Sequence, residues 1–168
     1  MEALAHVTRF GGMAANLAGG THHSHRSFGS GYCVFNDLAI CALLARDEHG
    51  YERIAVLDLD VHQGDGTATI LEGEKGIITI SVHGEKNFPF RKAKSDHDFP
   101  LPNGTEDEGY LLAVKESLAI IEDFSPEILL FQAGVDALEH DALGNLDVSQ
   151  DGMRIRNEMV FSSLDRRT

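Results

Sequence analysis

Residues 53–66 read RIAVLDLDVHQGDG, an apolar run that is interrupted by carboxylates and closed by a histidine, a third carboxylate and two glycines. The apolar first part, bounded by turn residues, predicts a buried strand over residues 53–60. Alternate side chains of a strand share a face, so Asp58, Asp60 and His62 would project together if the strand continued that far. Two carboxylates about 7 Å apart on one buried face repel each other and are poorly solvated. The stretch therefore needs a positive partner, either a metal ion or a protonated histidine.

Apolar runs and amphipathic stretches alternate along the rest of the chain. Further strands are predicted at residues 14–18, 76–82 and 127–134, and helices at residues 36–50, at residues 104–124 and from Ser149 onward. Strands that alternate with helices form a parallel sheet with helices on both faces. The predicted fold is therefore α/β, with a mainly parallel sheet between two helical layers. Residues 83–104 interrupt the pattern and are predicted to form a loop of about 20 residues, a length typical of functional loops.

Capping residues predict where the helices begin and end. Asn36 is a predicted N-cap, and Gly50 is the predicted C-terminal stop of the same helix. Thr105 and Glu108 have the spacing of a capping box at the start of the next helix. The buried face of that helix is predicted from apolar residues at helical spacing, namely Leu111, Leu112, Val114, Leu118 and Ile121.

Composition narrows the class of protein. A chain of 168 residues with 42% hydrophobic residues and 17 glycines is typical of one globular domain. The net charge of −13 argues against nucleic acids and anionic membranes as partners. Cys33 and Cys41 are too few for a disulfide framework, and no apolar run reaches transmembrane length. Because the first residues, MEALAHVTRF, lack a signal-peptide pattern, the cytoplasm is the predicted location.

Ionisable residues follow the predicted strands at their carboxyl ends, where open α/β sheets bind ligands. Asp60 and His62 come at the end of the strand quoted above, and Asp136 comes directly after the strand at residues 127–134. One imidazole and two carboxylates suit a catalytic zinc ion that keeps an open coordination position. A buried ion pair between Asp60 and His62, without a metal, is the alternative.

Ser81 lies near the end of the strand predicted at residues 76–82. Its hydroxyl could coordinate a hard cation together with the Asp58 carboxylate and backbone carbonyls, as oxygen-only sites do. A strand-end serine that binds nothing is an equally good interpretation of this residue.

Two adjacent histidines, His22 and His23, follow a pair of glycines in the stretch GGTHHSH. If a carboxylate holds each ring, the pair can supply a general base and a general acid around one water molecule. Asp58 and Asp65 are the carboxylates available for this purpose. The alternatives are a surface histidine tract or a second metal site, and His25 is predicted to take no part.

Taken together, these motifs resemble one family. The order GGTHH, SGYCVFND, DLDVHQGDG, SVH, NFP and AGVDALEHDALG, spread over residues 14–144, is similar to the histone deacetylase family of zinc amidohydrolases. The HQGDG form and the stretch NGTEDEGYL resemble the class IV and bacterial branch most. The resemblance implies the fold of that family, a parallel sheet between helical layers that is related to arginase.

The resemblance also implies roles for particular residues. The implied zinc ligands are Asp60, His62 and Asp136. The implied catalytic histidines are His22, backed by Asp58, and His23, backed by Asp65. A monovalent-cation site, usually for potassium, is implied at Asp58 and Ser81. The substrate residues implied are Gly31, whose carbonyl would accept the substrate amide N–H, and Tyr32 and Phe88, which would form the walls of an acyl-lysine tunnel. Without the family, both aromatic residues would be interpreted as packing residues.

The implied activity is the zinc-dependent removal of acetyl groups from acetyl-lysine in proteins or from a small acetylated amine. The chain is shorter than the family's catalytic domain, so residues 1–168 are predicted to be a partial domain that lacks the N-terminal strands and the C-terminal Gly-Gly-Tyr segment. Missing sheet neighbours would leave an open edge, which favours a homodimer. A metal-binding chain without catalytic activity is one alternative. An arginase-like manganese ureohydrolase is another, disfavoured because AGVDALEHD has a lone Asp at the required position.

Overall fold

The computed structural model describes residues 1–165. Within that range the chain forms five α-helices and four β-strands. In chain order these are α1 (Glu2–Phe10), α2 (Asp37–Asp47), β1 (Ile54–Asp58), α3 (Asp65–Leu71), β2 (Ile77–Gly84), β3 (His97–Leu101), α4 (Asp107–Phe124), β4 (Ile128–Gln132) and α5 (Gln150–Asp165).

The four strands form one sheet in the order β3-β2-β1-β4, and each neighbouring pair is parallel. Strand β1 lies inside the sheet, where Asp58 pairs in register with Ser81 of β2 and with Gln132 of β4. The carboxyl ends of these three strands therefore meet at one edge of the sheet. The predicted parallel sheet is confirmed, and the segments that follow β1 and β4 begin next to each other.

Helices cover both faces of the sheet, as predicted. Side chains of β1 alternate between two buried clusters: Ala55 and Leu57 belong to the cluster that contains residues of α4 and α5, and Ile54 and Val56 to the cluster that contains residues of α1 and α2. All four side chains are at most 1% exposed. A strand buried on both faces reads as a continuous apolar run, which is why this sequence stretch is so informative.

Two strand predictions and one loop prediction need correction. Strand β1 ends at Asp58, so Asp60 and His62 lie beyond the ladder and do not share a strand face with Asp58. Residues 14–18 form no strand and are exposed, in keeping with an alanine-rich run that has low strand propensity. The predicted loop at residues 83–104 is partly wrong because it contains β3, which pairs with β2.

Helix boundaries are partly as predicted. The Asn36 side chain accepts a hydrogen bond from the N–H of Ala39 over 2.9 Å, which confirms it as the N-cap of α2. Helix α2 ends at Asp47, three residues before Gly50, the expected stop. The capping box at α4 is wrong: Glu106 is the N-cap, and the Thr105 hydroxyl donates to a backbone carbonyl instead.

Two features of the helices were not expected. Helix α1 had no counterpart among the predicted elements, although its Leu4 is buried in the core. In α4 the predicted core residue Leu112 is 56% exposed, whereas Tyr110 is fully buried.

None of the helices in the described part of the chain combines the length and the apolar character that a bilayer-spanning helix needs.

His83, near the end of β2, makes stability depend on pH. The side chain is 1% exposed, and burial lowers its pKa from 6.5 to about 4. Between these values the unfolded chain binds a proton that the folded chain excludes, so stability falls as the pH drops from about 6.5 toward 4. The full effect is on the order of 3 kcal/mol.

We expect His83→Gln to lower the dependence of the unfolding free energy on pH between 7.5 and 5, measured by urea denaturation. The exposed His49 offers a matched control, since His49→Gln should leave the pH dependence as it is in the original chain. An unchanged pH slope in His83→Gln would contradict the assignment of this effect to His83.

Candidate active site

The segment after β1 folds around carboxylates instead of continuing as a strand. The N–H of Asp60 donates to Oδ1 of Asp58 over 3.1 Å, and the N–H of His62 donates to Oδ1 of Asp60 over 2.9 Å. The N–H of Val61 donates over 2.9 Å to Oδ1 of Asp136, which follows β4. Backbone bonds from Leu59 to Gln132 and from Gly84 to Val61 continue alongside these bonds, which bring Asp60, His62 and Asp136 to one place.

Asp60, His62 and Asp136 form a candidate metal site. One ligand atom from each residue lies within 4.8 Å of the others. The Nδ1 atom of His62 lies 2.9 Å from Oδ2 of Asp136 and 3.1 Å from Oδ1 of Asp60. All three residues are half-buried, so solvent reaches the site. The structure thus brings together the three residues predicted as ligands, by a route other than the predicted strand face.

Hydrogen bonds compensate the charges in this cluster. Burial alone would lower the pKa of His62, but its bonds with Asp136 and Asp60 raise that pKa to about 9. Burial alone would raise the pKa of Asp60, but the partners His62 and His22 bring it down to about 2. A metal cation bound here would displace a proton from His62, because a histidine ligand must be neutral.

His22 lies against Asp58, with 2.6 Å between its Nδ1 and Oδ2 of the carboxylate. Both residues are 3% exposed. Burial alone would lower the pKa of His22, but the charge and hydrogen bond of Asp58, helped by Asp60 and Asp136, raise it to about 9. Burial raises the pKa of Asp58 itself. The Nε2 atom of His22 lies 3.7 Å from Oδ1 of Asp60, which places this histidine beside the candidate metal site.

His23 has a similar arrangement on the other side of the site. Its Nδ1 lies 2.7 Å from Oδ1 of Asp65, at the start of α3, and its ring centroid is 5.9 Å from that of His62. Burial would raise the pKa of Asp65, but the hydrogen bond with His23 lowers it. His25 was predicted to take no part, yet its Nε2 lies 3.2 Å from Oδ2 of Asp65. One carboxylate therefore contacts two histidines.

The predicted substrate residues lie around His23. The Phe88 ring stands edge-on to the His23 ring, with 4.9 Å between the centroids. Gly31 has φ of +51°, and a Cβ atom there would come within 2.4 Å of the His23 ring. Tyr32 also has a positive φ, 64°, and its side chain is fully exposed. The Gly31 backbone approaches His23 in a way that only glycine permits.

Ser81 is buried beside Asp58 in the strand register, and its hydroxyl lies 2.9 Å from Nδ1 of His83. Sequence reasoning had not assigned that partner. A cavity of about 10 Å³ is lined by Asp58 and Ser81 and also, among other residues, by Thr67, Thr79 and Ser95. This volume is about the size needed for one water molecule or one small ion.

Comparison with known proteins identifies the family. The family model of the histone deacetylase domain matches residues 1–168. The chain belongs to the histone deacetylase family. A protein of Picosynechococcus sp. is 42% identical over 153 residues, which are 90% of this chain and 51% of that protein. Histone deacetylase 2 of Arabidopsis thaliana is 33% identical over 154 residues, 89% of this chain and 40% of that protein.

The crystal structure of a histone deacetylase homologue from Aquifex aeolicus has the same fold. It superposes with a TM-score of 0.85 at 29% identity and covers 95% of this chain and 46% of that one. The predicted deacetylase-like α/β fold is therefore confirmed. The chain spans about half the length of the curated relatives it matches.

In this member of the histone deacetylase family, three polar residues that sequence reasoning left unassigned hold the loop carrying Phe88. Gln63 is fully buried, and its amide exchanges hydrogen bonds with the backbone of Ala93. The Asn87 amide donates over 2.8 Å to a carbonyl of the loop after β4. The Lys92 ammonium donates to the carbonyls on either side of Phe88. Gln63 lies in the motif HQGDG next to His62, and Asn87 lies in the motif NFP next to Phe88. This proximity to predicted site residues was the sequence signal that could have found them.

Helix α3 packs closely at Gly66 against the segment that carries His22 and His23, called here the histidine segment. A Cβ atom at Gly66 would lie 2.2 Å from the backbone oxygen of Ser24, and a backbone atom cannot move aside easily. We expect Gly66→Ala to lower the unfolding free energy by about 1–3 kcal/mol, the usual cost of overpacking. Urea denaturation measures this change.

Gly19 offers the matched control, because a Cβ atom there meets nothing within 4 Å. Gly19→Ala should change the unfolding free energy by less than about 0.5 kcal/mol. Equal stability of the two variants would show that the contact between α3 and the histidine segment is looser than described.

Proposed function

We propose that this chain carries the metal and acid–base centre of a zinc-dependent deacylase that hydrolyses acetyl-lysine or a related N-acetylated amine. The observation that carries the proposal is the convergence of two His–Asp pairs on the cluster of one imidazole and two carboxylates. A structural ion pair would need one histidine and one carboxylate, whereas this site gathers three histidines and four carboxylates. Such a concentration of ionisable groups, of which several have shifted pKa values, is typical of catalytic sites.

The donor set fits zinc. Asp60, His62 and Asp136 would hold the ion, and one imidazole with two carboxylates leaves a coordination position for substrate or water. A bound zinc ion would polarise the acyl carbonyl and make a water molecule more acidic. The single three-residue cluster among residues 1–165 favours one ion over the bridged pair that a manganese ureohydrolase requires.

His22 and His23 are suited to move protons at this site. Each Nδ1 is within hydrogen-bond distance of a carboxylate, and such a bond fixes the tautomer of the ring. The Nε2 atom is then left to exchange a proton with the reacting groups. Within residues 1–165 neither Nε2 atom has a partner at hydrogen-bond distance, and that of His22 lies 3.7 Å from Oδ1 of Asp60. One histidine would take the proton of the attacking water, and one would protonate the leaving amine, as general base and general acid.

The surroundings of His23 support an acyl-amine substrate. Phe88 would supply an apolar wall against the His23 ring, and Tyr32, which is exposed and follows Gly31 directly, would stand at the rim. The Gly31 carbonyl would accept the amide N–H of the substrate. A chain with a net charge of −13 suits a cationic lysine or amine product rather than a nucleic acid.

A monovalent cation, such as potassium, is a second part of the proposal. Asp58 and Ser81 line the small cavity described above, and oxygen ligands suit a hard cation. Location in the cytoplasm and homodimerisation through an open sheet edge stay predictions. Within residues 1–165 the edge strands of the sheet are β3 and β4.

Acetate release from an acetyl-lysine peptide tests the activity directly. We expect the purified, zinc-loaded chain to release acetate and to lose this activity when a chelator is added. If zinc binds at one ion per chain but no acetate appears at any pH between 6 and 9, the chain is a metal-binding part of a deacetylase without its own turnover.

Variants separate metal binding from proton transfer. We expect Asp60→Ala to abolish stoichiometric zinc binding, because it removes a ligand, and His23→Ala to retain zinc but to lower turnover by about 10²–10⁴-fold. Equilibrium dialysis and acetate release measure the two effects separately. Zinc affinity that is unchanged in Asp60→Ala would disprove the ligand assignment.

A further inference from the structure

Arg156 in α5 is a buried cation that no function described above uses. Its side chain is 1% exposed and is among the largest fully buried side chains of residues 1–165. No carboxylate of the described residues lies within 4 Å of its guanidinium. Burying a charge without a charged partner is costly, so the guanidinium depends on uncharged partners, which include the Asn157 side chain at 3.1 Å and the Phe131 ring at 5.8 Å.

The guanidinium contacts the backbone next to the candidate ligands. One of its nitrogens, Nη1, donates to the carbonyl of Gly134 over 2.7 Å and approaches the carbonyl of Leu59 at 3.5 Å. Leu59 directly precedes Asp60, and Gly134 comes two residues before Asp136. The same nitrogen lies 3.5 Å from the Tyr110 hydroxyl.

Tyr110 adds a second link to the same place. Its hydroxyl, fully buried in α4, donates to the carbonyl of Leu59 at 3.4 Å. The two ligand segments also touch each other, since a Cβ atom at Gly134 would come within 2.6 Å of the Cα and Oδ2 atoms of Asp60. Helices α4 and α5 thus hold both segments from behind.

We propose that Arg156 is a positioning residue for the metal centre: it fixes the segments after β1 and β4 relative to each other so that Asp60 and Asp136 meet at one ion. The inference rests on the proposed zinc site. An arginine suits the task because its planar group offers several donors in fixed directions, whereas lysine offers a compact point charge.

The direction of the change in metal affinity distinguishes a positioning role of Arg156 from a purely electrostatic effect of its charge. A cation behind the site repels a bound metal ion, so removing its charge would by itself strengthen metal binding. Loss of the link between the segments would instead weaken metal binding. Residues that orient ligands typically change metal affinity by about 10–100-fold when they are replaced.

The test uses the whole 168-residue chain and measures zinc affinity by competition with a chelator. The visible absorption spectrum of the Co²⁺-loaded chain reports the ligand geometry. We expect Arg156→Met to weaken zinc binding about 10-fold or more and to alter the Co²⁺ spectrum. The zinc affinity of Arg156→Lys, which keeps the charge, should fall between that of the original chain and that of Arg156→Met. An affinity in Arg156→Met that is unchanged or higher would overturn the proposal.

Two controls share the helix with Arg156. Arg154 is exposed and pairs with Asp151 and Glu158, so Arg154→Met should leave zinc affinity and the Co²⁺ spectrum unchanged. Met153 is buried in the core, so Met153→Ala should lower stability without changing either metal readout. Equal weakening of zinc binding in Met153→Ala would assign the effect to general stability and would overturn the inference.

The remaining outcomes are also decisive. If Arg156→Met does not fold, Arg156→Lys and Tyr110→Phe test the same link, and wild-type zinc affinity in both would overturn it. If the original chain binds no zinc, the proposed zinc centre fails and the inference fails with it. If the original chain binds zinc, Asp60→Ala does not, and the Arg156 variants bind as tightly as the original chain, only the inference fails.

Discussion

The hydrogen bond between Asp58 and His22 is the interaction on which the rest of the site depends. Asp58 is the last residue of a strand buried on both faces, a position where an unpaired carboxylate would be costly. His22 compensates that charge, and its 2.6 Å bond fixes a segment without regular secondary structure to the end of the sheet. Once this segment is in place, His23 lies next to Asp65. The two histidines are therefore held by elements that are distant from them in sequence.

The parallel sheet explains why the candidate ligands come from distant positions of the chain. Strands β1 and β4 are neighbours and point the same way, so the segments that follow them emerge side by side. Asp136 then accepts a hydrogen bond from the backbone of Val61, which lies between the other two candidate ligands. The site is thus assembled by hydrogen bonds between two loops, and the apolar cores on both sides of the sheet hold the ends of these loops.

The sequence was most informative where one physical rule dominates. The apolar run at residues 53–58 predicted a buried strand, and ionisable residues at strand ends predicted the site, because parallel strands end at one edge. The period-two argument for Asp60 and His62 was wrong, since hydrogen bonds to the carboxylates ended the strand first. The contacts of His25 and Arg156 could not be predicted, because no spacing rule links a residue to a carboxylate or carbonyl 22 or more positions away.

Strand β4 has a partner on one side only within the described residues, and it leads directly to Asp136. Any strand added at this edge, from further protein or from another molecule, would restrain the segment that carries a candidate ligand. Metal binding and strand addition would then be thermodynamically linked, each raising the affinity for the other by the same factor. The metal affinity of such a protein would then depend on whether a further strand is paired with β4.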